Sequence, residues 1–367
     1  PDWSRGLGDV YKRQTLTIIF DYLIISIIAS IAINTILRNF ARNNNFLIDI
    51  PDRSRKFHKN ATPVTGGLGI IVALLISGKI YFDLNNLNDY VPDFTYQLTI
   101  CSIALVFFFL IDDIKELKTS GRIFAQILLS AYMIYETGVS IETLGNLFAF
   151  GEIKLGFMGI PFTIFCVVGV MNAFNMIDGI NGLCAGCGML ALLLVGFSSG
   201  LIYDSTLILI IGSMIGFLLF NLSIFGEKRG VFLGDHGSNM IGFWVAWSCI
   251  YASQNQMYDI EPMTMIWFVA IPLLDCIGLL FSRISKGLSW STPGRDHIHH
   301  KLMNKFSQEQ TLLIILIISL LLGVFGIYLE KVFSIWISTM LFVMFTGFYF
   351  VFSYYSNFET SGNDKNV

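Results

Sequence analysis

A succession of long apolar runs, separated by short polar segments, sets the strongest limit on how this chain can fold. A helix needs about 20 apolar residues to span a hydrocarbon core of about 30 Å, and about eleven runs approach that length. Of the 367 residues, 54% are hydrophobic and only 13% are charged. Soluble domains average about 25% charged residues, so an ordinary water-soluble domain is excluded. The sequence predicts an all-α polytopic integral membrane protein with about eleven transmembrane helices.

The predicted spans divide the chain into three parts. They lie at approximately 16–38, 64–82, 97–111, 122–137, 157–177, 183–201, 205–225, 238–254, 262–282, 311–328 and 332–353. Residues 15–355 are interpreted as a single multi-span domain. Residues 1–14 lack the apolar core and cleavage site of a signal peptide and are interpreted as a non-native or disordered leader. Residues 356–367 are interpreted as a polar cytoplasmic tail.

Lysine and arginine residues are concentrated in every second loop. The loops after predicted spans 1, 3, 5, 7 and 9, with their flanks, hold sixteen of them, whereas the opposite loops hold only Lys79, Lys154 and Lys331. Basic residues near span ends are retained on the cytoplasmic side, so these five loops are predicted to face the cytoplasm. The net charge of −3, without a basic stripe, argues against nucleic acid as a partner.

Two acidic motifs lie in these cytoplasmic loops. Asp112 and Asp113 end the third predicted span, and Asp235 lies between two glycines in Gly234–Ser238. Adjacent carboxylates resist simultaneous ionisation, so the pair predicts a Mg²⁺ site or a base with a raised pKa. A solvated span end and an ordinary aspartate turn are the structural alternatives.

A polar helix face ends the fifth predicted span. Asn172, Asn175 and Asp178 recur every three residues and therefore share one face of a helix. Such side chains inside a membrane span face a polar cavity or a partner, because exposure to lipid costs several kcal/mol. Gly179 and Gly182, which follow, either permit close approach of a ligand or simply end the helix.

The loop after the ninth predicted span carries His297, His299 and His300 beside Arg295. No glutamate-rich or cysteine-rich pattern accompanies these histidines, so hydrogen bonds to phosphate oxygens are favoured over a zinc site or a pH sensor. Asp275, inside the ninth span, is interpreted as an internal ion pair with Arg283.

Acids for Mg²⁺ and basic groups for oxyanions together predict phosphoryl transfer at the cytoplasmic surface.

The motifs resemble, in order and spacing, those of the polyprenyl-phosphate N-acetylhexosamine-1-phosphate transferases, within the glycosyltransferase 4 or MraY-like superfamily. The matching segments are Asp112–Asp113, Asn172–Leu183, Gly234–Ser238 and His297–His300, and Asp49–Gly67 resembles the first cytoplasmic loop of that family. The form of residues 295–300 resembles the WecA and TagO branch, which uses UDP-N-acetylglucosamine. The MraY branch, which transfers phospho-MurNAc-pentapeptide, instead carries three consecutive histidines. Two functions are alternatives to transfer of an N-acetylhexosamine-1-phosphate. One is the MraY-type transfer, and the other is transport of an anionic sugar or nucleotide.

The resemblance implies that undecaprenyl phosphate attacks the sugar-bearing phosphorus of a UDP-N-acetylhexosamine and that UMP is released. The product starts lipid-linked cell-envelope glycan synthesis, such as that of teichoic acid or lipopolysaccharide. The resemblance also implies a bacterial inner membrane location and an active site on the cytoplasmic face. A homodimer stays an open alternative. We expect the cytoplasmic loops to converge in one metal-loaded pocket at the inner leaflet.

Roles for individual residues follow from the same resemblance. Mg²⁺ or Mn²⁺ would be held by Asp235 and Asp113. The implied catalytic residues are Asp112, Asp113, Asp178 and Asp235. The implied substrate-binding residues are Lys56 and His58 for the lipid phosphate, and Asn172, Asn175, Asn181, Arg295, His297, His299 and His300 for the UDP-sugar. Asn181 stands where many relatives have aspartate, and its amide can bind a ligand but cannot act as a base.

Overall fold

The structure is a computed structural model that describes residues 2–51, 61–85, 93–115, 117–285, 287, 289 and 297–363, with side chains between positions 19 and 353. Thirteen α-helices and one two-stranded antiparallel sheet account for most of these residues. The chain divides into two compact units, the first comprising Pro1–Ile114 and Gly200–Gly237, and the second Lys115–Ser199 and Ser238–Val367. The divisions fall at the ends of two helices and within the first turn of a third.

The first unit is built from four helices and the small sheet. Its helices are α1 (Asp2–Asn44), α2 (Gly66–Leu84), α3 (Asp93–Lys115) and α7 (Ser205–Asn221), and strand β1 (Ile48–Asp49) pairs with β2 (Thr62–Pro63). The remaining helices are α4 (Thr119–Thr137), α5 (Gly159–Ile177), α6 (Leu183–Ser199), α8 (Asp235–Gln254), α9 (Pro262–Phe268), α10 (Ala270–Ser285), α11 (Ile298–Met303), α12 (Gln308–Val332) and α13 (Ile335–Asn363). Apart from the first turn of α8, these lie in the second unit.

Every predicted span coincides with a helix, and the ninth is divided into α9 and α10, which are bent by 80° at Val269. By length and composition, six helices among the described residues are able to cross a membrane, or seven when α9 and α10 count as one span. The prediction of an all-α, multi-pass membrane protein is therefore confirmed. Helices α6 and α7 are apolar but have only 17 residues each. The finer prediction of about eleven spans stays a prediction.

Small residues bring α1 and α7 together in the first unit. Ser26 Oγ donates to the carbonyl of Leu209 at 2.6 Å, and Ser30 Oγ donates to the carbonyl of Ser213 at 2.7 Å. A Cβ atom at Gly212 would lie 2.7 Å from Ser26 Cβ, so only glycine permits this spacing. In lipid, close packing and interhelical hydrogen bonds replace the hydrophobic effect as the force that holds helices together.

Trp267 of α9 is the centre of an aromatic cluster in the second unit. Its ring packs edge-to-face on Phe325 of α12 and Phe342 of α13, and its Nε1 atom donates to Ser338 Oγ at 3.0 Å. Gly326 leaves room for the indole, since a Cβ atom there would lie 2.6 Å from Trp267 Cβ. These contacts hold α9 against α12 and α13 at the point where α10 begins.

Candidate active site

The acidic motif that contains Asp235 is attached to the start of α2 and to the strand that precedes it. The backbone N–H groups of Gly66 and Gly67 donate to the carbonyls of Phe232 and Leu233 at 2.9 and 3.0 Å. The N–H of Phe232 donates in turn to the carbonyl of Pro63 at 2.8 Å. Residues Gly234–Gly237, which we call the acid turn, are therefore held beside the base of the β1–β2 hairpin.

Glycines allow an unusually close backbone approach at the acid turn. A Cβ atom at Gly67 would overlap Gly237 Cα and lie 2.5 Å from Gly237 N. Gly234 has φ +79°, a conformation that side chains other than glycine adopt only with strain. The His236 ring occupies the space between Gly67 and Gly234, and His236 is fully buried. Any larger residue at these glycines would displace the turn that carries Asp235.

Asp113 connects the end of α3 to the acid turn. Its Oδ1 atom accepts the backbone N–H of Asp235 at 3.3 Å, and its Oδ2 atom lies 2.5 Å from Nδ1 of His236. Asp112 is 1% exposed, whereas the side chain of Asp113 is 13% exposed. The adjacent carboxylates thus have different environments, and Asp113 is the more accessible of the two.

The donors of this cluster fit a hard divalent cation. Among the described residues, no group of three or more histidine, cysteine, aspartate or glutamate side chains could hold a metal ion by itself. Mg²⁺ is commonly bound through one or two carboxylates together with substrate phosphates, so a complete protein cage is not required. Asp113 and Asp235 both carry carboxylate oxygens, and the hydrogen bond from the Asp235 backbone N–H to Asp113 Oδ1 holds the two residues next to each other.

The polar face of α5 is engaged with neighbouring helices in the second unit. Asn172 Nδ2 donates to Gln126 Oε1 of α4 at 2.9 Å, and Gln126 Nε2 donates to Asn239 Oδ1 of α8 at 2.7 Å. One turn later, Asn175 Nδ2 donates to Ser238 Oγ at 3.0 Å. These hydrogen bonds fix the end of α5 relative to α4 and α8.

The turn after α5 leaves Asp178 accessible. Helix α5 ends at Ile177, Asp178 and Gly179 are exposed, and Gly182, with φ +83°, leads directly into α6. Asn181 is half-buried in the same turn. The turn can therefore present a carboxylate and an amide to a ligand.

The histidines begin a short helix, α11, that packs over this turn. A Cβ atom at Gly179 would overlap Nε2 of His299, so the glycine is required for the ring to fit. His299 is 1% exposed, and its pKa is lowered to about 3 by burial, with His300 and His297 adding repulsion. The ring is therefore neutral at physiological pH. It can offer one N–H group to a ligand but no charge.

His297 has a different environment. Its Nδ1 atom donates to Oδ2 of Asp275 at 2.8 Å, and the ring stacks on that of His299 with the centroids 5.3 Å apart. The structure thus pairs Asp275 with a histidine 22 residues later in the chain, and the interpretation of Asp275 as an ion pair with Arg283 is wrong.

A glycosyl transferase family 4 model matches residues 95–253 of the chain. An undecaprenyl-phosphate alpha-N-acetylglucosaminyl 1-phosphate transferase of Yersinia pestis is 33% identical over 308 residues, which cover 81% of each chain. The protein of that name from Escherichia coli strain K12 is 30% identical over 305 residues, again 81% of each. The one from Haemophilus influenzae is 30% identical over 320 residues, 84% of this chain and 85% of the relative.

The chain belongs to glycosyl transferase family 4. The resemblance inferred from the four motifs is thereby confirmed. The segment that matches the family 4 model contains both acidic motifs and the polar face of α5, and it ends before Asp275 and the histidines.

The structure brings some predicted site residues together within each unit. In the first unit, Asp112 and Asp113 lie at the end of the helix whose last turn contacts Asp235. In the second unit, His299 packs over the turn of Asp178. The predicted residues Lys56, His58 and Arg295 lie outside the described residues.

Three residues that were not assigned to the site from the sequence contact predicted site residues in the structure. His236 contacts Asp113, Gln126 bridges Asn172 to Asn239, and Asp275 binds His297. His236 lies inside a motif that resembles the family, so its position was a usable signal. Gln126 gives no such signal, because a single amide in an apolar run does not indicate its partner.

Proposed function

We propose that this protein transfers N-acetylglucosamine-1-phosphate from UDP-N-acetylglucosamine to undecaprenyl phosphate and releases UMP. The observation that carries the proposal is the attachment of Asp113 to the acid turn, which joins the two acidic motifs of a phosphoryl transferase. Relatives named for this transfer, 30–33% identical over 81% of the chain, support the choice of substrates. They do not favour a muramoyl-pentapeptide transferase or a transporter.

The reaction exchanges one phosphoric anhydride for another. An oxygen of the lipid phosphate forms a bond to the sugar-bearing phosphorus, and the bond from that phosphorus to the oxygen bridging UMP breaks. A phosphate monoester has a second pKa of about 6, so the attacking group is already mostly ionised at neutral pH. Catalysis then consists mainly of positioning and charge stabilisation.

We assign Asp113 and Asp235 as the residues that would hold Mg²⁺ or Mn²⁺, with Asp112 as their buried neighbour. The cation, when bound, supplies positive charge to the pyrophosphate oxygens. The His236 contact orients the Asp113 carboxylate, and the glycines at 67 and 237 keep the acid turn against α2. The acids therefore act from a backbone framework that is held together by contacts within the protein.

We assign the lipid phosphate to Lys56 and His58. The segment 50–61 connects the two strands of the hairpin, and the hairpin base is hydrogen-bonded to the chain that leads into the acid turn. Lys56 supplies a positive charge and His58 a hydrogen-bonding group for a phosphate dianion.

We assign the UDP-sugar to the second unit. The exposed carboxylate of Asp178 and the amides of Asn175 and Asn181 supply hydrogen-bonding groups for the nucleotide or sugar. Arg295 and His300 would contact the pyrophosphate, and His297 would contact the UDP-sugar through its Nε2 atom. His299, being neutral and buried, would contribute one N–H group to the ligand or only pack beside it. The amide of Asn172 is already hydrogen-bonded to Gln126.

The proposal includes the membrane in which the protein lies and its orientation there. We place the protein in the bacterial inner membrane, with about eleven spans and the acid turn on the cytoplasmic side. The proposed product would start lipid-linked cell-envelope glycan synthesis. A homodimer is not required by any residue assigned here.

The test is release of UMP by the purified full chain in detergent. We expect release to require UDP-N-acetylglucosamine, undecaprenyl phosphate and Mg²⁺ together, and chelation to abolish it reversibly. Asp235→Asn should lower the rate by at least about 100-fold. Asp83→Asn is the matched control, since Asp83 pairs only with exposed Lys79 among the described residues, and it should retain full activity.

Three outcomes would contradict the proposal. They are UMP release without lipid phosphate, full activity of Asp235→Asn, and a preference for UDP-N-acetylmuramoyl-pentapeptide over UDP-N-acetylglucosamine. A panel of UDP-N-acetylhexosamines tested in the same assay would identify the sugar.

A further inference from the structure

Asp275 is a buried carboxylate with three hydrogen-bond donors. It lies in α10 and is 3% exposed. Its Oδ2 atom accepts Nδ1–H of His297 at 2.8 Å, and its Oδ1 atom accepts the backbone N–H of Ile298 at 2.8 Å and the hydroxyl of Tyr349 at 3.1 Å. A buried carboxylate is tolerated only when its oxygens are satisfied in this way.

The donors show what the carboxylate holds in place. Two of the three come from consecutive residues, a side chain at position 297 and a backbone N–H at position 298, where α11 begins. Asp275 therefore fixes both the ring of His297 and the path of the backbone that carries it. The third donor, Tyr349, fixes the carboxylate itself from α13.

A second contact fastens the other side of α11. Lys301 Nζ donates to Ser353 Oγ of α13 at 2.7 Å. With the start of α11 bound to α10 and its middle bound to α13, the short helix cannot rotate freely. Its histidines consequently hold defined orientations before any ligand binds, which lowers the cost of ordering them on binding.

His297 and His299 differ in the hydrogen bonds that their ring nitrogens make. Both ring nitrogens of His299 are buried, and among the described residues neither has a hydrogen-bond partner. The carboxylate of Asp275 receives the Nδ1 proton of His297, which leaves Nε2 as the ring nitrogen without a partner in the described part of the chain. A carboxylate that binds one ring nitrogen of a histidine fixes the tautomer of the ring. It also fixes the direction in which the other ring nitrogen points.

We infer that Asp275 is a positioning residue for His297, which holds the ring in the Nδ1–H form so that Nε2 accepts a hydrogen bond from a hydroxyl or amide N–H group of the UDP-sugar. The choice of ligand rests on the proposed function, whereas the pairing rests on the contacts above. His299, in contrast, supports the Gly179 turn by packing. Asp275 thus acts on the substrate only through the imidazole that it orients.

The activity test is a double-mutant cycle. Asp275→Asn keeps the shape of the side chain but can donate to His297 Nδ1, so we expect kcat/KM for the UDP-sugar to fall at least about tenfold. The KM for undecaprenyl phosphate should not change. Tyr349→Phe is the matched control, because it removes a different donor from the same carboxylate, and its effect should stay below about threefold.

The cycle is closed with His297→Ala. If Asp275 acts through His297, Asp275→Asn should cause no further loss in a His297→Ala background, whereas independent effects would multiply. Multiplying effects, or full activity of Asp275→Asn, would overturn the inference. A wild-type chain that releases no UMP would instead refute the proposed function.

A spectroscopic measurement tests the pairing independently of turnover. The chain has five histidines, so ¹⁵N-histidine spectra of the full-length protein are tractable, and His297→Ala assigns the relevant signals. We expect Nδ1 of His297 to carry the proton in the wild type and to lose it in Asp275→Asn. Unchanged signals in Asp275→Asn would overturn the inference even if the variant were inactive.

Discussion

Gly67 allows the backbone of α2 to touch the acid turn. The nearest atoms to an added Cβ at this position belong to the Gly237 backbone, which cannot rotate away as a side chain can. The N–H of Gly67 also donates to the carbonyl of Leu233 in the approach to the turn. One residue without a side chain therefore determines how closely the chain that carries Asp235 approaches the start of α2.

We expect Gly67→Ala to lower both thermal stability and UMP release. Overpacking of this kind costs about 1–3 kcal/mol, and the acid turn must move to relieve it. Gly78→Ala in the same helix is the matched control, because no atom lies within 4 Å of its added Cβ. Alanine is the better helix former by up to about 1 kcal/mol, so that variant should be unchanged or more stable. Equal melting temperatures for the two variants in detergent would contradict this account.

The start of α9 is an element whose stability depends on acidic neighbours. The backbone N–H of Glu261, just before the helix, donates to Glu330 Oε1 of α12 at 2.7 Å. Burial raises the pKa of the Glu261 carboxyl, and repulsion by Glu330, Asp259 and Glu152 raises it further. The folded state therefore binds this proton more tightly than the unfolded chain does. The carboxylate lowers the stability of the fold once pH exceeds the usual glutamate pKa of about 4.5.

Glu261→Gln should consequently raise the melting temperature at pH 8 and leave it unchanged near pH 4. The amide keeps the shape of the side chain but carries no charge at either pH. Glu227→Gln, at an exposed glutamate on a short helix before α8, is the control and should show no such dependence on pH. A gain for Glu261→Gln that is the same at both pH values would show that charge repulsion is not the cause.

The helices themselves were predictable, and the bend between α9 and α10 was not. Length and apolar composition are properties of contiguous residues, so each predicted span coincides with a helix. The break at Val269 has no proline at the bend itself, and Pro272 lies in the first turn of α10, where proline is tolerated. The bend instead accompanies the packing of Trp267 against α12 and α13, which involves residues far along the chain.

At the scale of the whole molecule, the asymmetric distribution of basic residues predicts which loops face the cytoplasm. Phe150, between α4 and α5, is 96% exposed in a loop predicted to face outward. Glu227, between α7 and α8, is exposed in a loop predicted to face inward. The two positions therefore report opposite sides of the membrane if the orientation is right.

We expect a membrane-impermeant thiol reagent to label Phe150→Cys in intact cells and Glu227→Cys only after permeabilisation. Five of the six native cysteines are buried and Cys166 is partly buried, so the unsubstituted chain serves as the background. Labelling of Glu227→Cys in intact cells would contradict the cytoplasmic assignment of the acid turn that follows it.

The helical, membrane-embedded character of the chain and the motifs of its family were predictable from the sequence, because each of these properties is carried by neighbouring residues. Tertiary structure alone decided that His236 holds Asp113 across 123 positions, that Gln126 binds Asn239 across 113, and that Asp275 orients His297. Such pairings depend on which helix faces pack together. In a chain where nearly every helix is apolar on all sides, the hydrophobic pattern does not specify those faces.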